Sequence, residues 1–224
     1  MRIRNGRISL ALHEVSRQPG PTVLLLHSLY GTADDWRATR ERWRGSVFAL
    51  EFSGHGHSDR LNGSAYSPEG LLADADAALH QIGTAAVAGI GLGAYVALLL
   101  AGSRADRVPA ALLLPGAGLA GGGPVPNFDE EFPDFLINAA AGTTASTTGQ
   151  PQYDPMVQVL ELFVRPPDYA EAFARAARQV LLVEDGTSRP PWWHAASRSP
   201  SAECIRGDLT AALQRLHAAV SRES

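Results

Sequence analysis

The chain is 224 residues long, with 19 basic against 23 acidic residues, a formal charge of −4 and 45% hydrophobic residues. That length suits one compact unit burying roughly 70% of its unfolded surface, and the single cysteine, Cys204, excludes an intramolecular disulfide framework and a four-thiolate zinc site. Every basic residue is an arginine, scattered rather than clustered, which argues against a dedicated nucleic-acid surface. No apolar run reaches the ~18 residues of a membrane span, and no signal-peptide core follows Arg2, Arg4 and Arg7. The expected setting is cytoplasmic and the expected partner a small-molecule ligand or substrate, with no membrane, cofactor or metal; composition says nothing about oligomeric state.

Near the start, Asn5-Gly6 stands between two short alternating stretches, the residue pair that supplies the positive φ angles of a type I′ hairpin. Residues 22–27 (TVLLLH) form a solid apolar run, as expected of a strand buried on both faces; similar runs occupy 46–50, 85–89, 110–114, 179–183 and, more weakly, 202–206. Between them lie helical patterns. Ser67-Pro68-Glu69 reads as an N-cap with proline at the first helical position, followed by Leu71, Leu72, Ala75, Ala78, Leu79 and Ile82 at helical spacing and stopped by Gly83. Residues 92–101 are apolar nearly all round, predicting a buried helix, and 209–220 predict an amphipathic terminal one. Strands alternating with helices imply an α/β fold, a mostly parallel sheet flanked by helices, here preceded by a hairpin.

Residues 119–178 interrupt this alternation with a Gly/Pro-rich start, an Ala/Thr/Ser/Gly stretch at 139–149, and two helical patterns at 154–164 and 168–178. Too long for an ordinary connection, the segment reads as a cap or lid inserted into a core made of 1–118 and 179–224.

Three motifs carry a family resemblance. His27-Ser28-Leu29-Tyr30-Gly31 follows the first buried strand, Glu51-Phe52-Ser53-Gly54-His55-Gly56-His57-Ser58 follows the next, and Gly89-Ile90-Gly91-Leu92-Gly93 lies between a strand and the buried helix. In this order they resemble the oxyanion loop, the D-x-x-G-x-G-x-S loop and the G-x-S-x-G nucleophile elbow of α/β-hydrolases. The resemblance covers essentially the whole chain and implies that fold.

It also implies altered chemistry. Gly91 occupies the nucleophile position and has no side chain with which to attack a carbonyl. That position is a strained, positive-φ site costing other residues ~1–3 kcal/mol, which glycine avoids. The base position aligns with Asp208, equally readable as the N-cap of the terminal helix. Asp185 is the nearest match for the acid, at an unresolved offset. Two positions replaced together argue against Ser-His-Asp acyl transfer. Cys204, inside the last strand, reads as a small buried thiol rather than a substitute nucleophile, and His217, well inside the last helix, as structural.

The resemblance leaves the electrostatic half of the site, in which the amides of Leu92 and of Ser28 or Leu29 form an oxyanion hole at the helix N-terminus. His27 and His55 read as braces for loop turns. Glu51, in place of the family's aspartate, reads as a loop brace or an acid/base group, and Asp185 with Asp208 as a carboxylate pair able to move protons without histidine. Tyr30, Trp192 and Trp193, together with Tyr95, Phe128, Phe132 and Phe135, read as an aromatic pocket wall or as packing. Three functions remain open: non-hydrolytic acid/base or templating chemistry on a small organic molecule (cyclisation, isomerisation, elimination or C–C cleavage), a non-catalytic ligand- or partner-binding pseudoenzyme, or a carboxylate-assisted hydrolase of an ester, lactone or similar bond.

Overall fold

A computed structural model describes residues 1–39, 41–61, 65–118, 153–186 and 188–221. Within them one sheet holds β1 (Arg2–Asn5), β2 (Ile8–Ser16), β3 (Val23–Leu26), β4 (Val47–Glu51), β5 (Ala86–Ile90), β6 (Ala111–Leu114), β7 (Val180–Glu184) and β8 (Ala202–Arg206), in the order β1-β2-β4-β3-β5-β6-β7-β8. The first two strands pair antiparallel, as do β2 and β4, and all remaining pairs are parallel. The hairpin is present, but its turn is not the expected type I′ at Asn5-Gly6: Asn5 pairs with Ile8, so Gly6 and Arg7 form the loop, and of the two Gly6 alone has positive φ, +57°, the pattern of a type II′ turn.

Among the described residues, five α-helices flank the sheet: α1 (Pro68–Ile82), α2 (Leu92–Ser103), α3 (Pro167–Ala176), α4 (Pro191–Ser197) and α5 (Leu209–Val220). The cap signals of α1 work as the sequence implies. Ser67 accepts from the Gly70 amide at 3.1 Å, and Gly83, at φ +88°, donates its amide to Leu79 O. Alternate strand residues feed two cores. Leu24, Leu26, Leu50 and Val87 pack with α1 and α2 on one face, and Val23, Leu25, Ala49 and Ala88 pack with Trp36, Trp43 and α5 on the other. Residues 92–101 are all buried, so α2 is sandwiched between the sheet and the elements outside it.

Several expectations need correction. The pattern at 154–164 forms a 3₁₀ helix, Pro155–Leu162, rather than an α-helix, and Asp154 caps it by accepting from Met156 N. The next helix is Pro167–Ala176 rather than 168–178. Another 3₁₀ helix, Ala33–Thr39, and the short α4 had no sequence counterpart. Cys204 is exposed, not buried, because β8 is the outer strand of the sheet, with β7 beside it on one side only. Of the segment read as a cap, residues 119–152, including Phe128, Phe132, Phe135 and the 139–149 stretch, lie outside the described residues.

Candidate functional site

Because β3 to β6 run parallel, the turns that leave them gather at one end of the sheet, where open α/β sheets bind ligands. Gly91 is the turn between β5 and α2, with φ +57° and ψ −116°, and its amide is fixed to Leu114 O at 2.9 Å. The sequence expected a positive φ here, and the backbone has it. The other two glycines of the motif allow close approach: a Cβ on Gly89 would strike the Gly93 backbone, and one on Gly93 the carbonyls of Leu26 and His27.

Two amides from different loops converge beside Gly91. Leu92 N donates to Ala117 O at 2.9 Å, and Leu29 N donates to the same oxygen at 3.3 Å. Of Ser28 and Leu29, it is therefore the Leu29 amide that faces this point. Ser28 supplies its carbonyl instead, to His27 Nδ1 at 2.7 Å and to Gly31 N at 3.0 Å. The acceptor is the chain's own backbone, in the turn after β6. A Cβ on Gly91 would overlap the Ala117 oxygen and stand 2.7 Å from Gly116 C and 2.8 Å from Ala117 C. Gly118, at φ +83°, brings this turn against Leu29 and Leu92.

His27 and His55 lie behind these loops, buried, with rings 4.8 Å apart. His27 donates through Nδ1 to Ser28 O and accepts the Phe52 amide on Nε2 at 3.1 Å, so both nitrogens hold backbone. Burial, reinforced by the neighbouring His55, keeps its pKa well below the ordinary 6.5. Burial likewise takes His55 down to about 4, although its bond to Ser53 O opposes the shift.

Glu51, at the end of β4, is 3% exposed, and its Oε2 accepts from the His57 amide at 2.7 Å. Burial pushes its carboxyl up, but that amide and the flanking His13 and His57 outweigh it, leaving the pKa below the usual carboxylate value. Tyr30 is exposed at 37%, its ring 5.0 Å from Tyr153; burial of the hydroxyl, with Glu161 nearby, raises it to about 12.

The other candidates have partners elsewhere. Asp185 pairs with Arg189 at 2.5 Å, and Asp208 caps α5 by accepting from Ala211 N at 2.9 Å. Trp192 and Trp193 are fully buried in the core; Trp192 meets Tyr95 edge-on at 4.9 Å, and Arg189 lies over Trp193. Tyr95 in turn lies under the guanidinium of buried Arg165, which donates to Phe163 O and Leu160 O. His217 bonds Arg44 O at 3.0 Å and packs on Trp43, in keeping with a structural role.

Sequence reasoning missed Ala117 and His13. The small-residue turn Pro115-Gly116-Ala117-Gly118 was the available signal for the first, and the histidine on β2, diagonal to Glu51, for the second.

A mostly parallel sheet covered on both faces, with β5 passing through the Gly91 turn into α2, is the arrangement found in α/β-hydrolases. The family model described as "Alpha/beta hydrolase family" matches residues 23–222, and the chain belongs to that family. No curated protein matches the sequence. Solved structures share the fold. A hypothetical protein from Pseudomonas aeruginosa PAO1 aligns at a TM-score of 0.73 and 19% identity, over 100% of this chain and 99% of its own. A carboxylesterase structure from Nitrososphaera gargenis aligns at 0.72 and 11%, over 97% of both chains. A variant of the N-formylmaleamic acid deformylase of Pseudomonas putida S16 aligns at 0.71 and 15%, over 99% of both. Among the described residues, no helix is long and apolar enough to cross a membrane.

Proposed function

We propose that this chain is a ligand- or partner-binding member of its family in which Ser–His acyl transfer has been lost. The observation that carries this is the Ala117 carbonyl, which takes hydrogen bonds from both the Leu29 and Leu92 amides. In the proposed alignment those amides are the oxyanion hole, whose catalytic value depends on donors waiting for charge that develops on the substrate. Here they are already paired with a neutral oxygen tethered to the same chain. A substrate carbonyl must displace that oxygen, and at Gly91 it meets no nucleophilic side chain.

The acid/base alternative draws less support. Asp185 faces an arginine and Asp208 faces a helix amide, so each has a local task that does not need the other. Glu51 is committed to its loop. Residues 153–178, the described part of the proposed cap, would then present the binding surface together with Tyr30 and Tyr153.

The test combines chemistry with binding. The purified chain should leave p-nitrophenyl acetate and a short acyl thioester at the buffer rate and take no label from a fluorophosphonate probe. A panel of small carboxylates and carbonyl compounds should give at least one saturable thermal shift. Turnover above background that disappears in Asp185→Asn or Asp208→Asn would overturn this conclusion in favour of acid/base catalysis. Covalent labelling would overturn it in favour of an unforeseen nucleophile.

A further inference from the structure

We propose that His13, Glu51 and His57 form a binding site for one divalent transition-metal ion of the zinc class. The three come from separate pieces of chain: His13 from β2, Glu51 from the end of β4, His57 from the loop beyond it. In the antiparallel β2–β4 register Ala11 faces Glu51 and His13 faces Ala49, so His13 and Glu51 are diagonal neighbours on one face of the sheet. Glu51 Oε2 lies 3.3 Å from His13 Nε2 and 3.1 Å from His57 Nδ1, and the three atoms all fall within 4.8 Å of one another.

These separations suit coordination. Around a tetrahedral ion with bonds of ~2.0–2.1 Å, neighbouring donor atoms stand about 3.3–3.4 Å apart, so both oxygen–nitrogen spacings already match within a few tenths of an ångström. The nitrogen–nitrogen spacing closes by a small rotation of His57, whose side chain is 80% exposed and free to adjust. A second, independent feature points the same way. His13 Nε2 is shielded from solvent and makes no hydrogen bond; its approach to Glu51 lacks hydrogen-bond geometry. A solvent-shielded ring nitrogen 3.3 Å from a carboxylate and outside hydrogen-bond geometry is a position that a bound cation would satisfy.

The carboxylate is held in place beforehand. Gly56, at φ +52°, leaves the space that the carboxylate fills, since a Cβ there would overlap it, and the His57 amide fixes Oε2 from the other side. An aspartate at 51 would fall one methylene short of both rings. Two imidazoles and one carboxylate suit zinc, cobalt, nickel or copper and disfavour magnesium and calcium, which prefer all-oxygen shells. Three protein donors leave room for water on the exposed side. The ion would tie β2, the end of β4 and the following loop together. It lies two strands from the elbow, about 10 Å along the sheet, and uses none of the elements on which the binding function rests.

The test uses the full chain stripped of metal with a chelator. Cobalt(II) titration should saturate at one equivalent with a visible absorption band of low-coordinate geometry, zinc should displace it, and zinc should raise the melting temperature. His57→Ala keeps the main-chain amide that braces Glu51, so it should fold normally while weakening zinc at least tenfold. His13→Ala should do likewise and the double variant should lose binding by more than a hundredfold, while His80→Ala and His194→Ala leave it unchanged. No saturable binding, or a double variant that still binds one equivalent within threefold of the unaltered chain, would overturn the site.

Discussion

The elbow offers a quantitative test in Gly91→Ala. Two costs add. At φ +57° and ψ −116° the backbone holds a conformation that costs a side-chain-bearing residue about 1–3 kcal/mol. The new Cβ would also overlap the Ala117 oxygen, so the turn after β6 must retreat and both hydrogen bonds to that oxygen are lost or stretched. At about 0.5–1.5 kcal/mol each, these bring the total to roughly 2–6 kcal/mol. For a chain of this size each kcal/mol lowers the melting temperature by about 2–4 °C, so a central loss of ~4 kcal/mol corresponds to about 8–16 °C.

Gly6 supplies the control, because it shares φ +57° but has nothing within 4 Å of the point where a methyl group would stand. Gly6→Ala should cost only the ~1–2 kcal/mol of a left-handed residue. Urea unfolding of both variants, with m values compared to confirm an unchanged unfolded state, separates strain from overlap. If Gly91→Ala costs no more than Gly6→Ala within ~0.5 kcal/mol, the Ala117 carbonyl does not fill that space and the occlusion argument fails. Gly91→Ser should be as unstable as the alanine variant and should gain no esterase activity.

The same turn can be pushed from its other side. Gly118→Ala places a Cβ 2.8 Å from the Cβ atoms of Leu29 and Leu92, and should speed amide hydrogen exchange at Leu29 and Leu92, which ought to be protected in the unaltered chain. Asp208→Ala should cost about 0.5–2 kcal/mol through loss of the α5 cap, whereas Asp208→Asn should keep the cap and most of that stability; thermal denaturation distinguishes them. Acid should destabilise the fold through His27 and His55, whose folded pKa values lie below that of a free imidazole. Below pH ~6.5 the unfolded chain takes up protons that the folded chain refuses, so stability present above that pH falls as pH drops toward 4; His55, with its folded value of about 4, accounts for about 2 kcal/mol of the loss between pH 7 and pH 5, and His27 adds to it in the same direction. Urea midpoints across that range should decline, and His55→Gln should make the decline shallower; an unchanged decline would contradict the buried neutral state of His55.

The strands were the most legible part of the sequence. A strand covered on both faces has no polar alternation to hide it, so the five solid apolar runs fall within a residue of β3 to β7, while the weaker run at 202–206 coincides with the outer strand β8. Ser67 and Gly83 marked α1 because capping is local chemistry, readable from neighbours in sequence. The Ala33–Thr39 and Pro191–Ser197 elements are seven residues each, too short to build a period. Without α4, the tryptophan pair at 192 and 193 had no helix to carry it inward, which left a pocket wall as a competing assignment. The exposure of Cys204 follows from strand order, which no single strand encodes.

At the site, identity was legible and partnership was not. A glycine at 91 announces both the missing side chain and the permitted φ, but the group that uses the vacated space is a main-chain carbonyl in the turn after β6, and a carbonyl is the same for every residue. Only the run of small residues around Ala117 allows the backbone to come so close. A serine side chain at 91 and the Ala117 oxygen where it stands are mutually exclusive, because they require the same volume. On the proposed function, the glycine both leaves the elbow without a nucleophilic side chain and lets the chain satisfy its own amides. Restoring a working elbow would require moving the turn after β6 as well as changing residue 91, so a single substitution should fail in activity even where the protein still folds.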